Sequence, residues 1–378
     1  MGCKHARVST PGFVKHFGAV LAAILVMTGV STSIANAGAP PPIGPRWGVR
    51  IVFPGSFSNL IAARGDAYAI RDWGRESGHN QIARIDPVAG RDLALSSYLP
   101  GADSLIYANG SLWTTGVASI TSKGIGSPVI VQLNPLTLKK EKTFVYPSAS
   151  KPILIDGPSG EIWAYGGWSR GPVCEVRRID SSSGAALTVY RLPGADGVCA
   201  GAAFDVLGRF LYVVTGGGGG VVALYKIDPT ARKIVSSTPL PDFSQFVTVA
   251  ATPERVWMAG GEPGTNGAVL YFSSSPLRLL AASPADGSSN RVSALPNFSQ
   301  FASVDISGGR VWVGSDGTVG CFKPSSRKVL ATYIEYHGPV LTDSFVVVGR
   351  EMWANSNTGG PPPPTGLARV DPPAACWR

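Results

Sequence analysis

The 378-residue sequence carries a formal charge of +9, yet only 15% of its residues are charged, while 47 are glycine and 31 are proline. No cluster of lysine or arginine stands out, so the sequence argues against a nucleic-acid partner despite its basic balance. Low charge with plentiful glycine and proline suits a chain of many short strands and turns.

The first 37 residues are predicted to be a secretory signal peptide. Lys4, Arg7 and Lys15 precede an apolar run at 18–30, and the small residues at 35–37 offer a cleavage site after Ala37. The apolar run is too short for a comfortable membrane span, and no later stretch is a transmembrane candidate. We therefore expect a secreted or extracytoplasmic protein whose charge falls to +6 after cleavage.

Residues 38–46 are predicted to form an extended leader, and residues 47–378 a single domain built from repeats. The clearest unit, residues 203–240, is predicted to form four strands at 203–206, 211–215, 221–227 and 233–240. One four-stranded meander cannot bury both of its faces, so the unit needs copies of itself.

The copies are marked by a bulky aromatic residue on the second strand of each unit, preceded by a small or aliphatic residue. These anchor residues recur every 41–55 positions: Tyr68, Trp113, Trp163, Tyr212, Trp257, Trp312 and Trp353. Repeats of ~40–50 residues with four strands each are typical of β-propeller blades. A β-sandwich is the alternative, but it would not need seven copies of one aromatic position.

The predicted fold is therefore all-β: a seven-bladed β-propeller of four-stranded antiparallel blades. The last repeat lacks a fourth strand, and an unassigned strand at 47–53 precedes the first repeat. We expect the N-terminal strand to pair beside residues 367–370, which completes the last blade and closes the ring.

Two stretches resemble known bacterial propellers. Residues 151–165, KPILIDGPSGEIWAY, resemble the blade consensus of the virginiamycin B lyase-like propellers, and residues 201–235 resemble the YVTN repeats of surface and periplasmic proteins. The streptogramin lyases of the first group use histidine and acidic residues with a magnesium ion. In this chain the loop positions that would carry the histidines are mostly Gly, Ser or Ala.

Four cysteines follow the predicted cleavage site, which suggests disulfides in an exported protein. Three pairings are possible. The repeat register favours Cys174 with Cys199, because both lie at one edge of the third blade. It places Cys321 and Cys376 in adjacent blades at different heights, so it does not decide whether these two cysteines are bonded.

Ligand sites on propellers usually lie on the face that holds the loops between second and third strands, here called the loop-rich face. The loop at 71–80 is the most chemically varied, and the loop at 166–173 adds a second Trp–Arg pair. The candidate ligand-binding residues are Arg71, Asp72, Trp73, Arg75, Trp168 and Arg170. In the alternative, each tryptophan folds back onto its own blade.

Two further groups of residues are candidates for chemistry on this face. His79, His337, Glu335 and Asp343 are candidates for a metal site or an acid–base pair, and two surface histidines are the alternative. Asp103 and Asp196, in matching Leu-Pro-Gly-Ala-Asp turns, are candidates for a divalent-cation site, or else cap their turns. Asp156, Asp205 and Asp305, each seven residues before an anchor, are interpreted as turn-forming residues.

Two functions remain after these observations. The sequence favours a monomeric, non-catalytic propeller that binds a protein, glycan or small ligand through its loop-rich face. The alternative is a metal-assisted lyase or hydrolase of the streptogramin lyase-like type, with a divalent cation as its cofactor. The separation of His79, His337, Glu335 and Asp343 in the folded ring distinguishes the two.

Overall fold

The computed structural model of the chain is built almost entirely of β-strands. It describes residues 48–377 with gaps at 55, 73–78, 122–123, 147–150, 167–173, 193–198, 206, 217–221, 241–247, 252–255, 262–266, 274–290, 300–302, 316–317, 324–328, 335–340 and 357–365. Within that part, two short 3₁₀ turns lie at Pro158–Gly160 and Ala374–Cys376. No described helix is long and apolar enough to cross a membrane.

The strands are short, as the frequent glycine, proline and asparagine turns require. In the first half of the chain they are β1 (Gly48–Pro54), β2 (Ser56–Ala63), β3 (Asp66–Asp72), β4 (His79–Asp86), β5 (Arg91–Leu95), β6 (Leu99–Pro100), β7 (Leu105–Ala108), β8 (Ser111–Val117), β9 (Ile120–Thr121), β10 (Gly124–Ile125), β11 (Pro128–Leu133), β12 (Lys140–Val145), β13 (Pro152–Asp156), β14 (Ile162–Gly166), β15 (Cys174–Ile179) and β16 (Ala186–Leu192).

In the second half they are β17 (Cys199–Phe204), β18 (Leu211–Thr215), β19 (Ala223–Asp228), β20 (Lys233–Pro239), β21 (Thr248–Ala251), β22 (Val256–Gly261), β23 (Gly267–Ser273), β24 (Arg291–Ser299), β25 (Ser303–Ser307), β26 (Arg310–Ser315), β27 (Thr318–Phe322), β28 (Val329–Ile334), β29 (Leu341–Val348), β30 (Glu351–Ser356) and β31 (Gly366–Asp371).

Consecutive strands pair into antiparallel meanders, as the repeat predicts. The orders are β2-β3-β4-β5, β7-β8-β11-β12, β13-β14-β15-β16, β17-β18-β19-β20, β21-β22-β23-β24, β25-β26-β27-β28 and β29-β30-β31-β1. One sheet departs from the predicted four strands, because β6 returns to pair with the start of β4. β9 and β10 form a separate two-stranded ribbon.

The first strand of each sheet lies innermost and contacts the first strand of the next sheet. β2 contacts β29, so the succession of sheets returns to its beginning. β1 pairs antiparallel with β31, with Val49 opposite Val370 and Gly48 opposite Asp371. This confirms that the N-terminal strand completes the last sheet, where it covers the outer edge of β31.

The anchor aromatics fill the spaces between neighbouring sheets. All seven are fully buried, at 0–1% exposure. Trp257, for example, packs with Ala250 and Ala259 of its own sheet and with Val304 and Val313 of the next. Large apolar side chains in this position supply the hydrophobic contact that holds one sheet against another.

Two disulfides reinforce the ring. Cys174, at the start of β15, is bonded to Cys199, at the start of β17, with Cα atoms 5.3 Å apart. Cys321 in β27 is bonded to Cys376, with Cα atoms 5.9 Å apart. The first bond confirms the predicted pairing, but it joins two neighbouring sheets, because Cys199 begins the first strand of the next sheet. The second forms because the chain turns back through Ala374–Cys376 after β31, which brings Cys376 to β27.

Two arginines in equivalent positions link their sheets to the following sheet. Arg84 stands opposite the anchor Tyr68 on β4, and its Nη1 donates a hydrogen bond to the Leu136 carbonyl at 3.2 Å. Arg369 on β31 donates in the same way to the Val88 carbonyl at 3.0 Å. Val88 and Leu136 occupy matching positions in consecutive Asp/Asn-Pro turns, so the two bonds are copies of one link between sheets.

Candidate binding sites

Arg71 is the predicted binding residue that the structure describes most fully. It lies near the end of β3, directly below the loop at 73–78. Its guanidinium is 5.8 Å from the centre of the Phe57 ring, and its Nη1 lies 3.8 Å from the Asp92 carboxylate. Burial raises the pKa of Asp92, and the positive charge of Arg71 opposes that rise. These contacts hold the guanidinium beside the Phe57 ring and direct it towards Asp92.

Most of the other predicted residues are not described by the structure. Asp72 is the last residue of β3, His79 the first of β4, and Asp343 lies in β29, but their side chains are outside the described part. The same applies to the whole of Trp73, Arg75, Trp168, Arg170, Asp196, Glu335 and His337. The Trp–Arg binding surface and the histidine–carboxylate site therefore stay predictions.

Asp103 has a lysine partner. Lys151 Nζ lies 3.1 Å from the Asp103 carboxylate and donates a second hydrogen bond to the Gly101 carbonyl at 3.0 Å. Asn80 secures the same turn by donating to the Ala102 carbonyl at 2.7 Å. Among the described residues, no group of three His, Cys, Asp or Glu side chains is placed to hold a metal ion. The predicted partner carboxylate, Asp196, lies outside the described part of the chain.

The β9–β10 ribbon is a feature of the loop-rich face that the sequence did not predict. It lies within the connection from β8 to β11, and Ile120 and Ile125 stand directly opposite each other on its two strands. Ile120 is 42% exposed and Ile125 is 74% exposed. The signal in the sequence is weak, because two isolated isoleucines in a loop have no periodicity.

A cavity of about 660 Å³ opens at the other end of the ring, among the turns between first and second strands. Its walls come from β2, β7, β13 and β17, and polar and apolar groups contribute to them about equally. The turns that border it pack tightly. Gly208 has φ +66°, and a Cβ added there would lie 2.3 Å from the Pro158 Cβ, so a side chain would not fit.

Two aspartates line this cavity, Asp156 and Asp205. Asp205 is a turn-forming residue, as predicted, since its Oδ1 accepts a hydrogen bond from the Arg209 amide at 2.7 Å. Solvent reaches Asp156 through the channel, yet burial among protein atoms raises the pKa of its carboxyl. The turn interpretation is wrong for Asp305, which lies inside β25 opposite Trp312.

Asp305 is electrostatically coupled to Asp156. Burial raises the pKa of Asp305, and the negative charge of Asp156 raises it further. The two aspartates belong to first strands, β13 and β25, that are three sheets apart. The electrostatic effect of Asp156 on Asp305 therefore acts between sheets that are not neighbours.

Comparison with known proteins identifies the architecture. No family model matches the sequence, and no curated protein matches it. Solved structures do match, among them the propeller domain of Myceliophteria thermophila Cps50 (Swd1), with a TM-score of 0.58, 11% identity and coverage of 85% of this chain and 99% of that one. The fold is a β-propeller.

Hydrazine synthase of Kuenenia stuttgartiensis gives a TM-score of 0.57 at 12% identity, covering 80% of this propeller and 92% of that chain. BamB of Moraxella catarrhalis gives 0.46 at 14% identity, covering 84% of each chain. At such low identities the likeness concerns the fold alone, because one propeller fold carries many unrelated functions.

Proposed function

We propose that this chain is an extracytoplasmic, non-catalytic propeller of seven blades that binds a protein partner through its loop-rich face. Each four- or five-stranded sheet is one blade, and the resemblance to the virginiamycin B lyase-like and YVTN propellers concerns this scaffold. Export through the predicted signal peptide, with cleavage near Ala37, agrees with the two disulfides, which form and persist in oxidising compartments.

The observation that carries the proposal is the exposed isoleucine pair of the β9–β10 ribbon. Opposite residues of an antiparallel pair lie on one face, so Ile120 and Ile125 present a continuous aliphatic surface. Protein interfaces combine an apolar core with a polar rim. Lys151 and Asp103 flank the turn at Gly101, which packs against Val117 at the end of β8, and are the nearest described charges that could supply such a rim.

The ribbon is firmly placed on the scaffold. Its base is closed by backbone hydrogen bonds from Ala118 to Ser127 and from Gly126 to Ser119, at 2.9 and 2.8 Å. Gly116 lies so close to the preceding turn that an added Cβ would be 2.9 Å from the Pro100 carbonyl. A rigid platform loses little conformational entropy when a partner binds.

The test begins by identifying the partner. A photo-crosslinking amino acid is placed at Ile125 in one protein and at Val145 in another, both in the host cell. Val145 is the matched control, since it is an aliphatic residue of 67% exposure on the outer strand β12. We expect a protein crosslinked from position 125 and absent from position 145. Equal crosslinking at the two positions overturns the proposal.

Affinity for the purified partner is then measured by biolayer interferometry. The double substitution Ile120→Thr with Ile125→Thr keeps β-branched side chains in the ribbon but removes much of the apolar surface. Since burial of one isoleucine contributes about 1.5–3 kcal/mol, we expect at least a ~10-fold loss of affinity, or about 1.4 kcal/mol. Val145→Thr should change affinity by less than about 2-fold. An unchanged affinity for the ribbon variant contradicts the proposal.

A further inference from the structure

The central-channel cavity has the dimensions of a small-molecule site. Its volume of about 660 Å³ falls in the usual range for ligand pockets. Its walls belong to first strands held in four hydrogen-bonded sheets, and its border includes the tightly packed turns at Pro158 and Gly208. The site is therefore preformed, and it lies at the opposite end of the ring from the loop-rich face.

The lining combines aliphatic side chains with polar groups and carries a negative charge at Asp156 that no described ion pair compensates. Ile61, Ile106 and Leu154 come from three successive sheets and give an apolar wall. Of the two lining aspartates, Asp205 is committed to its turn and to Arg209, whose Nε lies 3.6 Å from Oδ2. Asp156 forms no ion pair with any residue that the structure describes.

Asp305 on β25 is a second carboxyl group under the electrostatic influence of Asp156. No positive charge contributes to the pKa shifts of either Asp156 or Asp305, and the charge of Asp156 makes ionisation of Asp305 harder. Burial disfavours the anionic form of each carboxyl group, so a cation beside Asp156 would stabilise its ionised form. Perturbed groups of this kind concentrate at functional sites.

We propose that this cavity binds an organic ammonium ion with an aliphatic body, the ammonium group against Asp156 and the hydrocarbon against Ile61, Ile106 and Leu154. A metal ion fits poorly, because the cavity is many times larger than an ion and the described residues place no third ligand beside the carboxylates. An anion would be repelled by the Asp156 carboxylate. A neutral ligand would leave the negative charge of Asp156 uncompensated.

The test uses three six-carbon probes that differ in charge: hexylammonium, hexanol and hexanoate. Binding to the purified protein is measured by calorimetry at pH 7.5. We expect hexylammonium to bind at least about 10-fold more tightly than hexanol, since a charge-assisted hydrogen bond adds to the same apolar contact, and hexanoate not to bind. Equal binding of hexylammonium and hexanol, or no binding of hexylammonium at 20 mM (roughly the weakest affinity expected of so small a ligand), overturns the proposal.

Asp156→Asn should weaken hexylammonium binding to the level of hexanol. Glu141→Gln is the matched control, since it removes an exposed carboxylate on the outer strand β12 and should leave binding unchanged. Retention of tight hexylammonium binding by Asp156→Asn overturns the assignment.

The wild-type protein supplies an independent check should the variant fail to fold. Among the described residues, other charges at this end of the channel come from Asp205 with its neighbours Arg209 and Lys226, and from Asp305. Hexylammonium affinity should rise with pH as Asp156 ionises through its raised pKa and then become constant. Affinity that does not change between about pH 4 and pH 8 contradicts a role for the carboxylate.

Discussion

Truncation of the anchor Trp257 should destabilise the propeller strongly. The side chain is 0% exposed, and a buried tryptophan removes roughly 150–250 Å² from water. At ~25 cal/mol per Å², that area corresponds to about 4–6 kcal/mol. Measured Trp→Ala truncations in cores cost about 3–5 kcal/mol. Its neighbours Ala250 and Ala259 are too small to fill the hole, and Val304 and Val313 lie on hydrogen-bonded strands, so we expect about 4–5 kcal/mol.

The assay is equilibrium unfolding in urea, followed by far-UV circular dichroism and tryptophan fluorescence together, because a free energy is defined only where the two transitions coincide. Trp73→Ala and Trp168→Ala are the controls, since both lie in predicted loops outside the column of anchors. We expect each to leave the free energy of unfolding nearly unchanged and to weaken partner binding by at least ~1 kcal/mol. A decrease in the free energy of unfolding below about 1 kcal/mol for Trp257→Ala would refute the packing argument. If Trp73→Ala or Trp168→Ala is as unstable as Trp257→Ala, the replaced loop tryptophan is required for folding.

Replacing Cys174 and Cys199 with alanine should lower the free energy of unfolding by about 3.5 kcal/mol. Replacing Cys321 and Cys376 should lower it by about 4 kcal/mol, because the closed loops span 25 and 55 residues. Urea midpoints test the order, and a larger loss for the shorter loop contradicts it. Asp156→Asn should raise stability at pH 7, because a carboxyl whose folded pKa is raised destabilises the fold once ionised. The gain should vanish below about pH 4, where the wild-type carboxyl is protonated in both states. Thermal midpoints across this pH range check it, and a less stable variant at pH 7 refutes it.

The sheets could be predicted because each repeat carries its own local signals. The strand predicted at 211–215 coincides with β18, and those predicted at 221–227 and 233–240 differ from β19 and β20 by one or two residues at their ends. Closure by β1 was predictable as well, because the last repeat lacks a fourth strand and the N-terminal strand belongs to no other repeat. In these cases alternation of apolar residues and turn chemistry point to the same structure.

The candidate sites were harder to predict because spacing along the chain does not fix register. Asp156 and Asp305 both precede an anchor by seven residues. The turn between β13 and β14 contains five residues, whereas the turn between β25 and β26 contains two. Ile155 therefore stands opposite Trp163, while Asp305 itself stands opposite Trp312. The electrostatic effect of Asp156 on Asp305 acts between different sheets, so a pattern within one repeat cannot predict it.

The closing strand pair has a mechanical consequence. Gly48 at the start of β1 lies opposite Asp371 at the end of β31, so a force that pulls these two ends apart loads the hydrogen bonds of the pair one after another. Loading in sequence opens a strand pair at lower force than shearing all its bonds together. Loss of β1 would not free β31 from the first sheet, because Arg369 stays hydrogen-bonded to the Val88 carbonyl. Under tension β1 would therefore detach first, while the contact between the last sheet and the first sheet remains.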